Sequence, residues 1–314
     1  MDCSIQPLKR KKGLYQISTT DFFFPLVNDP YVMGKIACAN VLSDLYALGV
    51  EHCDNMLMLL SSSRKLSSLE NDVCLKLIMR GFRDLANEAD TQVTGGQTVI
   101  NEDLLLGGVG MSVCDETEFI RPTKGRPGDV LVLTKPLGTQ VAVNFFQWME
   151  LEQHQKRWNQ CLDANPEKLH EHTARKAYAS AMDSMSRLNR NAAKLMHKYK
   201  AHGATDVTGF GLLGHAQNMA MNQDEELDFE IHTLPIIDGM TEAENAVNGM
   251  FRLLEGYSAE TSGGLLAMLP DEESAKAYCE ELEQLDGRKA WIIGRIVKGS
   301  REARIVDNAR IICV

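Results

Sequence analysis

The stretch from Thr205 to His215 constrains the fold of this chain more than any other. It contains Gly209, Gly211 and Gly214 at the spacing G-x-G-x-x-G. That spacing is typical of the phosphate-binding turn of a Rossmann fold and would predict a dehydrogenase. A second interpretation starts from Asp206, which would be a carboxylate on a glycine-rich turn beside a metal ion and a polyphosphate.

The residues before the turn favour the second interpretation. A Rossmann turn follows a short apolar strand, because a buried parallel strand leads into it. Residues 198–208 read KYKAHGATDVT, which is too polar for such a strand, and they follow a long helical segment. The chain also has no G-x-x-x-x-G-K-[ST] loop. Any nucleotide is therefore expected to bind in a less common type of site.

Composition limits the class of protein. With 314 residues, 44% of them hydrophobic, the chain is long enough for two domains with sizeable cores. Apolar runs such as residues 55–60 are far shorter than the ~20 residues that a bilayer span needs. The eight cysteines form no C-x-x-C pair, which favours a reduced, cytoplasmic protein. The net charge of −10 argues against nucleic acid as a partner.

The chain alternates strand and helix patterns, which predicts a mixed α and β fold. We predict strands at 14–18, 22–27, 55–60, 103–113, 129–134, 264–269, 290–297 and 302–306. We predict helices at 31–48, 72–89, 176–199 and 272–285. The basic run 9–12 is interpreted as a hairpin turn, and the polar stretch 150–175 as a surface insertion. Prolines and glycines at 122–128 predict a boundary between domains 1–124 and 125–314.

The predicted helix 31–48 places two polar residues within its apolar face. At helical spacing, Asn40 and Asp44 project among Met33, Ile36 and Val41. A buried carboxylate without a partner would cost several kcal/mol, so Asp44 needs a cation, strong hydrogen bonds or a shifted pKa. Two interpretations stay open: a satisfied buried polar pair, or the wall of a binding site.

Other segments supply the same chemistry. Ser18–Asp21 is a row of hydroxyls ending in a carboxylate, within what reads as continuous strand. Thr94–Thr98 is interpreted as a loop, which taken alone would be a plain turn, and its paired glycines would let backbone N–H groups approach a ligand. Together with Asp2 and Asp206 these residues set carboxylates among glycines and threonines, and Mg²⁺ bridging to phosphate oxygens would reconcile their charges. His215 is expected to be structural.

Six ordered blocks of this sequence resemble one family, the selenophosphate synthetases, also called selenide, water dikinases. The blocks are Ile17–Phe23, Ile36–Gly49, Thr94–Thr98, Leu133–Gly138, Thr205–His215 and Glu260–Gly264. The runs Ala37–Tyr46 and Asp54–Leu60 resemble the eukaryotic branch. The resemblance covers nearly the whole chain. It implies a two-domain α+β fold of the superfamily shared with aminoimidazole ribonucleotide synthetase and thiamine monophosphate kinase.

The family's architecture and activity follow as expectations. We expect a homodimer whose N-terminal sheets join into an intersubunit β-barrel near the ATP, and a C-terminal α/β sandwich. The reaction would convert ATP, selenide and water into selenophosphate, AMP and phosphate, with Mg²⁺. Matched to the family's motifs, Asp2, Asp44 and Asp206 are the expected metal ligands. The expected nucleotide-binding residues are Asp21, Asp44, Gly95, Gly96, Gln97 and Thr98.

One departure from the family concerns the catalytic groups. Family members carry a cysteine or selenocysteine, followed closely by a lysine, in a glycine-rich segment upstream of the aspartate matched to Asp2. Only Met1 precedes Asp2 in this sequence, so both groups would lie upstream of Met1 and no catalytic residue can be carried over. Cys3 follows the aspartate and is interpreted as a buried strand residue instead.

We therefore expect an N-terminally truncated, inactive synthetase. One alternative is a regulatory paralogue that binds nucleotide without making selenophosphate. Another is a superfamily relative that acts on a phosphorylated metabolite.

Overall fold

The computed structural model describes residues 2–314 and contains two sheets flanked by helices. Strands β1, β2, β3, β4 and β5 span Ser4–Pro7, Leu14–Phe23, Asn55–Ser63, Val93–Asn101 and Leu105–Asp115. Strands β6, β7, β8, β9, β10 and β11 span Val130–Leu133, Gly203–Asp206, Leu227–Ile236, Leu265–Leu269, Trp291–Lys298 and Ala303–Cys313. Helices α1, α2, α3, α4 and α5 span Pro30–Ala47, Ser68–Glu88, Thr139–Glu150, Gln155–Ala164 and Glu171–Ser186. Helices α6, α7, α8 and α9 span Arg190–Lys198, Gly211–Met221, Met240–Ala246 and Glu272–Asp286.

The N-terminal sheet has the strand order β1-β2-β5-β3-β4 and is covered by helices on one face. Helix α1 begins at Pro30, where the Asp29 side chain accepts backbone hydrogen bonds, and α2 begins with a Ser67–Glu70 capping box. The two helices pack closely. A Cβ on Gly34 would lie 2.0 Å from the Ile78 carbonyl oxygen, and one on Gly81 would lie 1.9 Å from that of Tyr31. Both positions therefore require glycine.

The second sheet has the order β11-β8-β10-β6-β9-β7, and its strands β6, β7 and β9 are buried on both faces. Along β6, Leu131 and Leu133 belong to the core that α3, α5 and α7 cover, whereas Val130 and Val132 belong to the core beneath α6 and α9. This alternation puts helices on either side of the sheet. The predicted α/β sandwich is confirmed.

Several predicted elements need correction. The helix predicted at 176–199 is two helices, α5 and α6, with Arg187 extended between them. The stretch 150–175 is not a surface insertion, because it contains α4 and buries Trp158, Cys161 and Leu169. The strand predicted at 22–27 ends at Phe23 as part of β2. The polar stretch before Gly209 contains the buried strand β7, which pairs antiparallel with β9 and so differs from a Rossmann strand.

The hairpin predicted around residues 9–12 is confirmed, since β1 and β2 pair antiparallel on either side of it. No helix among residues 2–314 combines the length and the apolar character that crossing a membrane would require. The domain boundary at 124/125 stays a prediction. Met1, upstream of which we expect the family's nucleophile and lysine, lies outside the described residues.

Candidate functional site: a carboxylate cluster between the two sheets

Helix α1 presents two polar side chains to strand β2, as its sequence predicts. The Thr19 hydroxyl donates a hydrogen bond to Asp44, and the Asn40 amide donates to Asp21 at 2.8 Å. Burial raises the pKa of Asp44 well above its ordinary value, and the charge of Asp206 adds to the shift. Helix α1 is buried over most of its surface, so the single apolar face in the prediction is too narrow a description.

Three carboxylates from distant parts of the chain meet at this point. Asp2 precedes β1, Asp44 lies on α1, and Asp206 ends β7. The Thr205 hydroxyl contacts Asp2 at 3.2 Å. Burial, followed by the charge of Asp2, raises the pKa of Asp206 to about 7. The three groups are therefore close enough to oppose one another's ionisation.

The cluster has the features of a cation site that needs further ligands. Asp206 is 1% exposed, and its Oδ2 atom has no hydrogen-bond partner. A buried carboxylate oxygen without a partner is costly unless a cation occupies the space beside it. Across residues 2–314, however, no three His, Cys, Asp or Glu side chains are arranged closely enough to hold a metal ion unaided. The oxygen donors suit Mg²⁺, which usually takes one or two carboxylates together with water and phosphate.

Hydrogen bonds of the loop Glu260–Gly264 connect this cluster to the second sheet. The Ser262 N–H donates to the Asn40 side-chain oxygen at 2.7 Å, and the Lys135 ammonium donates to the Ser262 carbonyl at 2.8 Å. Glu260 accepts the N–H groups of Gly138 and Thr139 at the start of α3. Burial raises the pKa of Glu260 to about 7. The loop therefore fixes Asn40, and through it Asp21.

Lys135 and Asn189 are site residues that our sequence reasoning did not single out. Lys135 is fully buried, and burial lowers its pKa well below the ordinary value. Asn189 donates to the Ser43 hydroxyl and to the Gly263 carbonyl. The available signals were the lysine within the apolar run before Pro136 and the polar residues that break the predicted helix 176–199.

The structure does not bring Gly95–Thr98 together with Asp21 and Asp44 within this chain. These residues form part of edge strand β4, not the predicted loop. Across the sheet, Asp21 of β2 pairs with Gly108 of β5, Gly108 pairs with Met58 of β3, and Met58 pairs with Gly96 of β4. Three strand spacings, roughly 14 Å, therefore separate Asp21 from Gly96. A cavity of about 660 Å³ lies beside β4. Its lining includes Gly95–Thr98 and the basic residues Lys76, Arg80 and Arg83.

His215 and Cys3 lie where a structural role places them. The His215 ring is 7% exposed and accepts the Thr208 N–H at 3.0 Å, and burial lowers its pKa to about 4. Cys3 is buried in the core of the first sheet, directly before β1.

Comparison with family models accounts for both sheets. Residues 2–113 match the model "AIR synthase related protein, N-terminal domain", and residues 126–307 match the model of the corresponding C-terminal domain. Selenide, water dikinase 3 of Danio rerio is 52% identical over 99% of this chain and 71% of its own length. The chain belongs to the selenide, water dikinase family. It therefore belongs to a family of kinases, as its six sequence blocks predict.

Further relatives agree with this family, and solved structures share its fold. Selenide, water dikinase 2 of Homo sapiens is 52% identical over 99% of this chain and 68% of its own length. The dikinase of Dictyostelium discoideum is 50% identical over 99% and 83% of the two chains. Thiamine monophosphate kinase of Aquifex aeolicus, at 17% identity, covers 99% of this chain and 93% of its own with a TM-score of 0.68. Hydrogenase maturation protein HypE in complex with ATP, at 16% identity, covers 92% and 81% with a TM-score of 0.68. These structures share the predicted two-domain fold.

Proposed function

We propose that this site binds Mg²⁺ and ATP and serves the synthesis of selenophosphate, with AMP and phosphate as the other products. The main support is the Oδ2 atom of buried Asp206, which has no hydrogen-bond partner. Two further carboxylates, Asp2 and Asp44, lie beside it, and their pKa values are also raised. An anionic site of this kind attracts a polyphosphate only through bound cations. The names of the relatives supply the selenide and water half of the reaction.

In this proposal each residue of the cluster has a defined task. Asp2, Asp44 and Asp206 would hold Mg²⁺, which would supply positive charge against the triphosphate and against the charge that develops during phosphoryl transfer. Asp44 and Asp21 also face the nucleotide. Thr19 and Asn40 hold these two carboxylates in place through their hydrogen bonds. Positioning of this kind supplies much of the catalysis in phosphoryl transfer.

We further propose a homodimer in which β4 of one protomer completes the nucleotide site of the other. Two observations support it: the roughly 14 Å between Asp21 and Gly96 within one chain, and the apolar side chains on the uncovered face of the first sheet. On that face Phe22, Val99 and Val113 are 62%, 49% and 45% exposed. Pairing two such faces would form the intersubunit barrel and bury these side chains.

That this chain alone makes no selenophosphate stays a prediction, and it rests on the resemblance to the family. The cytoplasmic location and the absence of nucleic acid as a partner also stay predictions, and they rest on the scattered cysteines and the net charge.

Phosphorus NMR of the reaction products tests the function. The chain and a form extended by the family's glycine-rich segment would each be incubated with ATP, Mg²⁺ and selenide. We expect selenophosphate, AMP and phosphate from the extended form and none from the chain alone. Equal product from both would refute the need for that segment. Nucleotide binding without selenophosphate from either would favour the regulatory paralogue.

A further inference from the structure

Ser262, at the tip of the Glu260–Gly264 loop, combines two unfavourable features. Its backbone is in the left-handed region, with φ +46°, where a side chain is disfavoured relative to glycine. Its side chain is 1% exposed, and its hydroxyl has no hydrogen-bond partner. A strained backbone and an unsatisfied buried group at one residue point to a function that outweighs stability.

The backbone on both sides of Ser262 is fixed. Its N–H is bonded to Asn40 and its carbonyl to Lys135. The next two residues must be glycine. A Cβ on Gly263 would lie 2.0 Å from the Val207 carbonyl oxygen, and a Cβ on Gly264 would lie 2.4 Å from the backbone nitrogen of Lys135. Ser262 is therefore the one position of this Ser-Gly-Gly tip that carries a side chain, although its own φ would also suit glycine.

The loop that carries this hydroxyl adjoins the carboxylate cluster. Asn40 joins the Ser262 backbone to Asp21, and the Val207 N–H, next to Asp206, donates to the Gly264 carbonyl at 2.9 Å. Among residues 2–314, five buried side-chain atoms lack a partner, and two of them are Ser262 Oγ and Asp206 Oδ2. A hydroxyl donor and a carboxylate acceptor on adjoining segments would suit a ligand that carries both anionic oxygens and a cation.

We propose that Ser262 is a ligand-binding residue of the carboxylate site, and that its hydroxyl donates a hydrogen bond to a phosphate oxygen of the nucleotide bound there. The inference rests on the proposed function. It explains why serine is present where glycine would remove both the strain and the unpaired hydroxyl. The buried Lys135 ammonium donates a hydrogen bond to the Ser262 carbonyl and would thereby fix the backbone that orients the hydroxyl.

Two substitutions separate ligand binding from stability. Ser262→Gly removes the hydroxyl and the strain, and Ser262→Ala removes the hydroxyl alone. The matched control is Asn248→Gly, which relieves a similar φ of +56° at a residue outside the loop. Each chain would be melted without ligand and titrated by calorimetry with Mg²⁺ and a non-hydrolysable ATP analogue.

We expect both Ser262 variants to bind the analogue about tenfold more weakly, or weaker still, the loss of one hydrogen bond to a charged group. Ser262→Gly and Asn248→Gly should each melt about 2 °C higher than the original chain. Unchanged affinity in both Ser262 variants would overturn the inference, and a lower melting temperature of Ser262→Ala with unchanged affinity would assign the hydroxyl to the fold alone. Failure of the original chain to bind the analogue would instead overturn the proposed function, and the role of Ser262 with it.

Discussion

At the scale of single residues, the buried polar groups separate what the sequence can predict from what it cannot. Helical spacing alone predicts that Asn40 and Asp44 point inward, and both make contacts with strand β2. Lys135 could not be predicted in this way, because its partners are the carbonyls of Arg187 and Ser262, which are distant in the sequence. A buried lysine becomes interpretable only when the carbonyls around it are known.

His215 is another buried polar group, and its protonation can be tested by changing the pH. Burial lowers its folded pKa to about 4, below the ordinary value of 6.5. Its contribution to the free energy of unfolding is therefore fully present above pH 6.5 and is lost as the pH falls through 4, by roughly 3 kcal/mol at most. We expect the free energy of unfolding, measured with urea, to fall as the pH is lowered from 7.5 to 4.5, and to fall by about 2–3 kcal/mol less in His215→Gln than in the original chain. His232→Gln, at an exposed histidine, is the control. Equal losses for the His215 variant and the original chain would contradict the buried neutral ring.

At the scale of elements, sequence patterns predict long periodic helices well and short or glycine-rich strands poorly. The periodicity of 72–89 predicts α2 within a few residues. Strand β4 escapes prediction, because VTGGQTVIN has neither alternation nor apolar character, and its pairing with β3 alone makes it a strand. The break between α5 and α6 also escapes prediction, because the apolar spacing continues across it while Asn189 turns to the Glu260–Gly264 loop.

Packing between α1 and α2 gives the prediction at this scale. Gly34→Ala would push a methyl group into the backbone of α2, so the helices must separate. We expect the free energy of unfolding to fall by about 1–3 kcal/mol or more, measured by urea unfolding. Gly209→Ala is the control, because a methyl group added there would meet no atom of a non-neighbouring residue within 4 Å. A Gly34→Ala variant as stable as the original chain would show that the helices do not pack this closely.

At the scale of the whole molecule, the sequence predicts the fold and the cluster, but one chain does not assemble the entire predicted site. The resemblance implies the two-domain architecture, and the two sheets and the family models confirm it. Sequence order cannot show that Gly96 lies three strands from Asp21, because that separation depends on which strands pair. In the proposed dimer, strand β4 of the second protomer would complete the nucleotide site.

A charge on the uncovered sheet face tests this dimer. We expect the original chain to sediment as a dimer and Val99→Glu to sediment as a monomer, because a buried carboxylate without a partner opposes association. The monomer should also bind the Mg²⁺ nucleotide analogue more weakly. Val73→Glu is the control, since Val73 is 47% exposed on α2 and away from that face. A monomeric original chain, or a dimeric Val99→Glu variant, would contradict the shared site.

The most direct test of the account is a calorimetric titration of the chain with a non-hydrolysable ATP analogue, with and without Mg²⁺, repeated for Asp206→Ala. We predict that the original chain binds the analogue only when Mg²⁺ is present. Asp206→Ala should lose that binding yet keep the circular dichroism spectrum of the original chain. Equal affinity with and without Mg²⁺, or unchanged affinity in the variant, would contradict a metal-dependent nucleotide site at the carboxylate cluster.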